Sequence, residues 1–378
     1  MDFEPSDDQR LLLESVSRLL ADTYSFAQRK GYMAQPAGYS PEMWGKFAEL
    51  GLLGLPFPEE YGGFGGGPQE VMLVMQAFGR AIVVEPFLST VVLCGAAIQE
   101  AGSADQKGTL LPAIAEGSLK MAFAHGERQA RYDLNDLVTS AKRDGSGWVL
   151  DGAKTVVAHG EAADKFIVSA RTSGDRYDRE GMTLFLVDAT AQGVARRGYV
   201  SRDDSRAADL SLSNVRVTEA DVLGPVGGGF EIIERVVEAG IAATAAEAVG
   251  AMEAMNEMTL EYSKTRVQFG QPIGSYQVVQ HRLADMFMTQ EQGRSMAMLA
   301  TMSLENPDAA ERARNLAMAK VGVGQSARYV SQSAVQMHGG IGMTEEYAVG
   351  HYFRRCMVIE RLWGDPAYWL QKLADQVE

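Results

Sequence analysis

A chain of 378 residues, 46% hydrophobic and 22% charged, has the length for two or three domains and enough apolar content for a sizeable core, which excludes a disordered chain. Its formal net charge of -14, with no run or stripe of basic residues, excludes nucleic acid or an anionic membrane as the main partner; an anionic ligand would need a local basic pocket. Cys94 and Cys356, with no CxxC pair, exclude a disulfide framework and suit a reducing cytoplasm. The first eight residues lack the basic start and apolar stretch of a signal peptide, and no apolar run reaches bilayer length. The expectation is an intracellular protein without membrane insertion.

Ser6 followed by Gln9 makes a capping box, after which Leu12, Val16, Leu19 and Leu20 recur at helical spacing, so a helix begins the chain. Helical pattern returns at Met43–Leu52, Glu70–Val83 and Thr90–Ala101, interrupted by glycines at 62–67. Residues 1–118 are predicted as an N-terminal helical domain. From 119 the punctuation changes: Asp144-Gly145-Ser146-Gly147 and Asp151-Gly152 read as turns between runs such as Trp148–Leu150 and Thr155–Ala158. Phe166–Ser169, Thr183–Val187 and Leu210–Val217 continue the strands, and strands without intervening helices predict an antiparallel barrel or sandwich over 119–226. After Gly227–Phe230 the helical period resumes at Ile232, Val236, Ala239, Ala243 and Ala246. Further helices are predicted at about 276–303 and 307–337, the latter with Asn306 as N-cap, Pro307 in its first turn and Gly339-Gly340 at its end. A last helix starts at Asp365-Pro366, and residues 227–378 read as a four-helix bundle. The fold class is α+β.

The glycine clusters at 62–67, 227–229 and 339–342 do not satisfy GxGxxG, and no GxxxxGK[ST] occurs, so neither a Rossmann site nor a P-loop is supported. The histidines, His125, His159, His281, His338 and His351, show no metal-binding spacing, and no GxSxG elbow is present. Two C-terminal stretches carry more: Tyr262-Ser-Lys-Thr-Arg266-Val-Gln-Phe269-Gly270-Gln-Pro272 and Gln336-Met-His338-Gly339-Gly340-Ile-Gly342. Arg266 near a helix end, taken alone, is a solvated cation favoured by the helix dipole. Followed by Phe269, Gly270, Pro272 and a new helix, it also suits a bidentate cation holding a pyrophosphate beside a flat ring.

With Pro58–Gly63, Gln106–Pro112, Gly224–Phe230 and Gln280–Met286 in the same order, these stretches resemble the acyl-CoA dehydrogenase family from end to end. The resemblance implies a three-part fold, FAD as cofactor, α,β-dehydrogenation of an acyl-CoA thioester and an acceptor of the electron-transfer flavoprotein type. In that chemistry a carboxylate of raised pKa takes the α-proton while the β-hydrogen leaves as hydride.

The resemblance also implies a flavin shared between subunits. Carried over by position, the half that serves a neighbour's flavin is present as Arg266, Phe269, Gln277, Gln336, Gly339 and Gly340. The half that serves the chain's own flavin is degraded. Its Trp-x-Thr contact reads Val156-Val157-Ala158, and its Thr-Glu-Pro strand reads Gly126-Glu127-Arg128. The two positions where the family places a base hold Gly240, next to Ile241, and Trp363, in Trp363-Gly364-Asp365. No catalytic residue is assigned. Asp365 reads first as a helix cap and second as a displaced base; Glu127 and Asp209 are lesser polar candidates. The leading expectation is one subunit of a heteromeric enzyme similar to pimeloyl-CoA-type dehydrogenases, whose partner supplies the Glu. The alternatives are a self-sufficient homotetramer, a non-catalytic scaffold and, last, an oxygen-using flavoenzyme on the same fold.

Overall fold

The computed structural model describes residues 6–375; the first five residues, part of the stretch read above for a leader, lie outside them. The capping box predicted at Ser6 and Gln9 starts α1 (Asp7–Thr23), with Asp7 and Asp8 in its first turn favoured by the helix dipole. After α2 (Phe26–Met33), the Ser40 side chain accepts from Met43 N and caps α3 (Pro41–Glu49), and α4 follows at Pro68–Ala81. The helix predicted at Thr90–Ala101 begins instead as a π-turn, Leu88–Cys94, that runs into α5 (Gly95–Ala101). Thr90 Oγ1 both donates to Met121 O and accepts from Met121 N, tying the widened turn to the next strand. A second capping box, Ser103 with Gln106, starts α6 (Ala104–Ala115).

The strands are β1 (Met121–Ala124), β2 (Ser140–Asp144), β3 (Gly147–Ala158), β4 (Lys165–Arg171), β5 (Met182–Asp188), β6 (Val194–Val200), β7 (Arg206–Thr218) and β8 (Val222–Leu223). They form a sheet of order β6-β7-β3-β2-β4-β5-β8, with β1 paired to β4. The expectation of a purely antiparallel sheet is corrected: β1 runs parallel to β4, and Ser140 of β2 bridges Arg171 of β4 in parallel. The long connection from β1 to β4, which contains the β2–β3 hairpin, is what permits parallel pairing.

The turn predicted at Asp151-Gly152 is also corrected, because the chain passes through it as one strand, β3, with a register shift between Leu150 and Gly152. A Cβ on Gly152 would lie 2.4 Å from Thr139 Oγ1, so the glycine permits close strand approach and does not reverse the chain. A second shift, between Lys154 and Val157, leaves Val156 at a φ of 55°.

Helix α7 (Gly229–Thr265) leads through a short hairpin, β9 (Val267–Gln268) and β10 (Gln271–Pro272), to α8 (Gln277–Ser303). Helix α9 (Ala309–His338) starts later than predicted. Its cap is Asp308, which accepts from Ala310 N and Glu311 N, while Asn306 Oδ1 accepts from Asp308 N and shapes the preceding turn. Gly339 ends it as expected, and α10 (Ala348–Ile359) and α11 (Pro366–Ala374) follow.

The chain divides into two compact units. One holds Tyr32–Gly67 and Val84–Gly240, with a core of sheet residues including Trp148, Leu150, Phe166, Phe185 and Leu210. The other holds the stretch through Gly31, Pro68–Val83 and the chain from Ile241, with a core from α7 to α10 that includes Val249, Met252, Met286, Val330 and Ile359. In it, α4 and α7 cross almost in backbone contact. A Cβ on Gly79 would fall 1.9 Å from Glu247 O, and one on Gly250 would fall 1.9 Å from Gln76 O. Among the described residues no helix is long and apolar enough to cross a membrane.

Candidate functional site

Arg266 and Phe269 sit on the hairpin that joins α7 to α8, and its shape follows from its sequence. Phe269 and Gly270 both take positive φ, 53° and 85°, which closes β9 on β10 in a two-residue turn. Ile273 N donates to Arg266 O and Tyr276 Oη to Gln268 O, which fastens the hairpin to the start of α8, where Gln277 is the first residue. Arg266 and Gln277 are exposed, and the Phe269 ring is 93% exposed at the tip. Among the described residues the Arg266 guanidinium has no hydrogen-bonding or ion-pair partner.

The second motif lies beside the first. Tyr262, one turn before Arg266, stacks on His338 with ring centroids 4.5 Å apart, and its hydroxyl donates to His338 O. Tyr347 also packs against this imidazole, with ring centroids 5.0 Å apart and planes tilted by 48°. His338 Nδ1 lies 2.8 Å from Ala334 O, so the proton is placed on Nδ1, and burial lowers the imidazole pKa. His338, which the spacing of histidines did not single out, thus joins the end of α7 to the end of α9. Gln336, Gly339 and Gly340 follow on the exposed side of this joint, and a Cβ on either glycine would meet nothing within 4 Å. The six residues named from the resemblance are therefore all exposed in one unit, on two segments that Tyr262 and His338 join. Their donor set, a guanidinium, two carboxamides and exposed backbone beside an aromatic ring, fits the phosphates and a ring of a dinucleotide.

The other half of the expected site does not fit. The Val156 side chain is 66% exposed and offers no stacking ring, and Ala158 offers no hydroxyl. The outward amide at Val156 is already used, since it donates to Asp209 Oδ1 at 3.3 Å. Asp209 Oδ2 in turn accepts from Arg197 at 2.8 Å, and Tyr199 beside it is raised by burial and by the carboxylate. Asp209 is accordingly a local anchor of β7 against the β3 bulge.

Glu127 has an equally local part. Its carboxylate accepts from Lys154 Nζ at 2.7 Å, from the Val138 and Thr139 amides and from Gln129, with the two charged side chains 3% and 0% exposed. Burial opposes its charge, but the ammonium and these donors hold it at about 2; burial pulls Lys154 down to about 8 and His125 to about 3. Lys154 was invisible to motif reading, although alternation along β3 places it on an inward face.

Neither base position carries a titratable group, since Gly240 and Ile241 are buried in α7. Trp363 takes a φ of 55°, and its carbonyl accepts from Trp369 Nε1 at 3.0 Å. Asp365 Oδ1 accepts from Tyr368 N at 2.9 Å with Pro366 at the first helical position, so it caps α11. Glu360, three residues before Trp363, is a buried carboxylate that sequence reading missed. It pairs with Arg328, while Lys320 Nζ caps the end of α10 at Ile359 O. Burial lowers Lys320 to about 7.

Known proteins match the chain along almost its whole length. Residues 6–118, 122–215 and 227–377 match the N-terminal, middle and C-terminal domain profiles of acyl-CoA dehydrogenases. A short-chain-specific acyl-CoA dehydrogenase of Megasphaera elsdenii is 31% identical over 95% of each chain. Among solved structures, butyryl-CoA dehydrogenase from M. elsdenii superposes with a TM-score of 0.91 at 28% identity over 100% of both chains. A chain of the ChsE4-ChsE5 complex from Mycobacterium tuberculosis superposes at 0.89 with 25% identity, covering 100% of this chain and 99% of that one. The chain belongs to the acyl-CoA dehydrogenase family, flavoprotein oxidoreductases acting on CH–CH bonds, and has that family's fold of N-terminal helices, middle sheet and C-terminal helices.

Proposed function

We propose that this chain is one subunit of a heteromeric, FAD-dependent acyl-CoA dehydrogenase, and that Arg266, Phe269, Gln277, Gln336, Gly339 and Gly340 hold the adenine and pyrophosphate end of a flavin whose ring and base lie on a homologous partner. One observation carries the proposal: the exposed Arg266 and Gln336 motifs are fastened together by Tyr262 and His338, while the positions for a base are Gly240 and Trp363. A chain that kept its own complete site would have no reason to keep only the outward half. FAD, when bound, supplies a hydride acceptor at the thioester β-carbon and passes the electrons to an acceptor of the electron-transfer flavoprotein type. On this chain, Arg266 supplies a planar pair of donors to phosphate, Gly339 and Gly340 leave backbone open to close approach, and Phe269 offers a face for a ring. The partner's carboxylate removes the α-proton. The enzyme works inside the cell, and each unlike pair of subunits holds one flavin.

The test is flavin content per chain, measured on this chain alone, on a homologous dehydrogenase subunit from the same genome, and on the two co-expressed. The expected result is one FAD per unlike pair and acyl-CoA oxidation only by the pair. Arg266→Ala in this chain should weaken FAD retention by roughly 10- to 100-fold, the scale of a charge-assisted hydrogen bond of about 1.5–3 kcal/mol. One FAD per chain and ordinary acyl-CoA oxidation by this chain alone would overturn the proposal.

A further inference from the structure

The His338 ring is buried, with 3% exposure, and its two nitrogens are in unequal surroundings. Nδ1 donates to Ala334 O at 2.8 Å, while Nε2 is enclosed and among the described residues has no hydrogen-bonding partner. A nitrogen so placed keeps its lone pair, because an Nε2–H would find no acceptor and the new charge no water. Two phenols face the ring, Tyr262 from α7 and Tyr347 from the residue that precedes α10. Burial, the larger influence, lowers the imidazole pKa and the Ala334 carbonyl raises it; no charged side chain acts on it.

Both segments of the proposed flavin site meet at this ring. On one side Tyr262 stacks on it, and Tyr262 O accepts from Arg266 N at 2.8 Å, so the hairpin starts one turn from the stack. On the other side His338 is the last residue of α9, and Gly339 leaves the helix at a φ of 61° and a ψ of -140°, a conformation open to glycine. The chain then comes back onto the same side chain, since a Cβ on Gly342 would lie 3.0 Å from His338 Cβ. The ring is thus held by the end of α7, by its own helix and by the turn that follows it. A group this enclosed acts through its neighbours.

We infer that His338 is a positioning residue: as a neutral ring, stacked on Tyr262 and covered by the turn at Gly342, it keeps the Arg266 hairpin in register with Gly339 and Gly340, and a proton on Nε2 ends that register. The inference rests on the FAD site proposed above and names what aligns its two segments. Its direction in pH follows from burial. With the folded pKa below the ordinary 6.5, the alignment is fully present above about pH 6.5 and is lost as pH falls through the folded value. One proton is taken up, so affinity for FAD falls by at most about tenfold for each pH unit.

The experiment measures the dissociation constant for FAD of the co-expressed pair between about pH 8 and pH 5, with wild type, His338→Phe and His338→Ala in this chain. His338→Phe keeps a ring against Tyr262 and cannot titrate, so it should lack the added weakening that wild type shows below about pH 6.5. His338→Ala should weaken FAD binding by about tenfold or more throughout, a change of about 1.4 kcal/mol. On this chain alone, amide hydrogen exchange should quicken in His338→Ala at 266–273 and 339–343 and stay unchanged in β3 and β4. Should His338→Ala fail to fold by circular dichroism, the pH profile of His338→Phe decides. A His338→Phe profile that parallels wild type overturns the inference and leaves the proposed function standing. So does a folded His338→Ala that binds FAD as tightly as wild type, or one whose two segments exchange no faster. A wild-type pair that retains no FAD overturns both.

Discussion

Asp365 shows how one carboxylate two residues from an expected base is read by its bonds. Its acceptance from Tyr368 N, with Pro366 following, makes it the start of α11. Asp365→Ala should therefore lower stability by about 1 kcal/mol, the ordinary loss of an N-cap, while Asp365→Asn should lose little. Turnover of the assembled enzyme should survive both substitutions. Denaturant unfolding and acyl-CoA oxidation on the same two variants check this, and a base at Asp365 would instead abolish turnover in the Asn variant. The cap was legible because Asp-Pro is a local signal, and local signals survive the absence of a structure. Lys154 and Glu127 were not legible in the same way, since they lie 27 residues apart in sequence and meet only because β3 passes under the segment at 127.

At the scale of elements, the α4–α7 crossing is set by two glycines that sit in ordinary helical pattern. Their sequence context gives no hint that each faces a backbone carbonyl. Gly250→Ala should destabilise the protein by about 1–3 kcal/mol, the usual cost of overpacking, although alanine is the better helix former. A thermal melt that rises would show that the helices can part without loss. The two strand corrections have a related cause. Asp151-Gly152 has the composition of a hairpin turn, but the Thr139 contact makes it a bulge, and parallel pairing of β1 with β4 depends on a connection no local pattern reports. The capped helices α1, α9 and α11 were placed within a few residues, whereas α6, which also starts at a capping box, was not singled out; the late start of α9 reflects competition between Asn306 and Asp308 for the same turn.

For the whole molecule, the Glu127–Lys154 pair gives stability a defined response to acid. The folded carboxylate sits at about 2, below its ordinary value of 4.5. Its contribution is therefore fully present above about pH 4.5 and is lost as pH falls through 2. The stability difference between wild type and Glu127→Gln should accordingly shrink across that window. A difference that does not change with pH would assign the stability to packing alone. At this scale the exposed motifs and the lack of a titratable group at the two base positions were visible in the sequence, because the motifs are contiguous and the base positions could be counted from them. Glu360 and its pairing with Arg328 emerged only when distant elements were brought together.

The Phe269 ring, 93% exposed at the tip of its hairpin, has a consequence for how the protein is made. In the heteromer proposed above, a subunit produced in excess of its partner would present that ring, together with Phe287 and Met288, to its surroundings. Such orphans are substrates for chaperones and proteases. On that proposal matched synthesis of the two chains is required, and the abundance of this subunit should fall when the gene of the proposed partner is silenced.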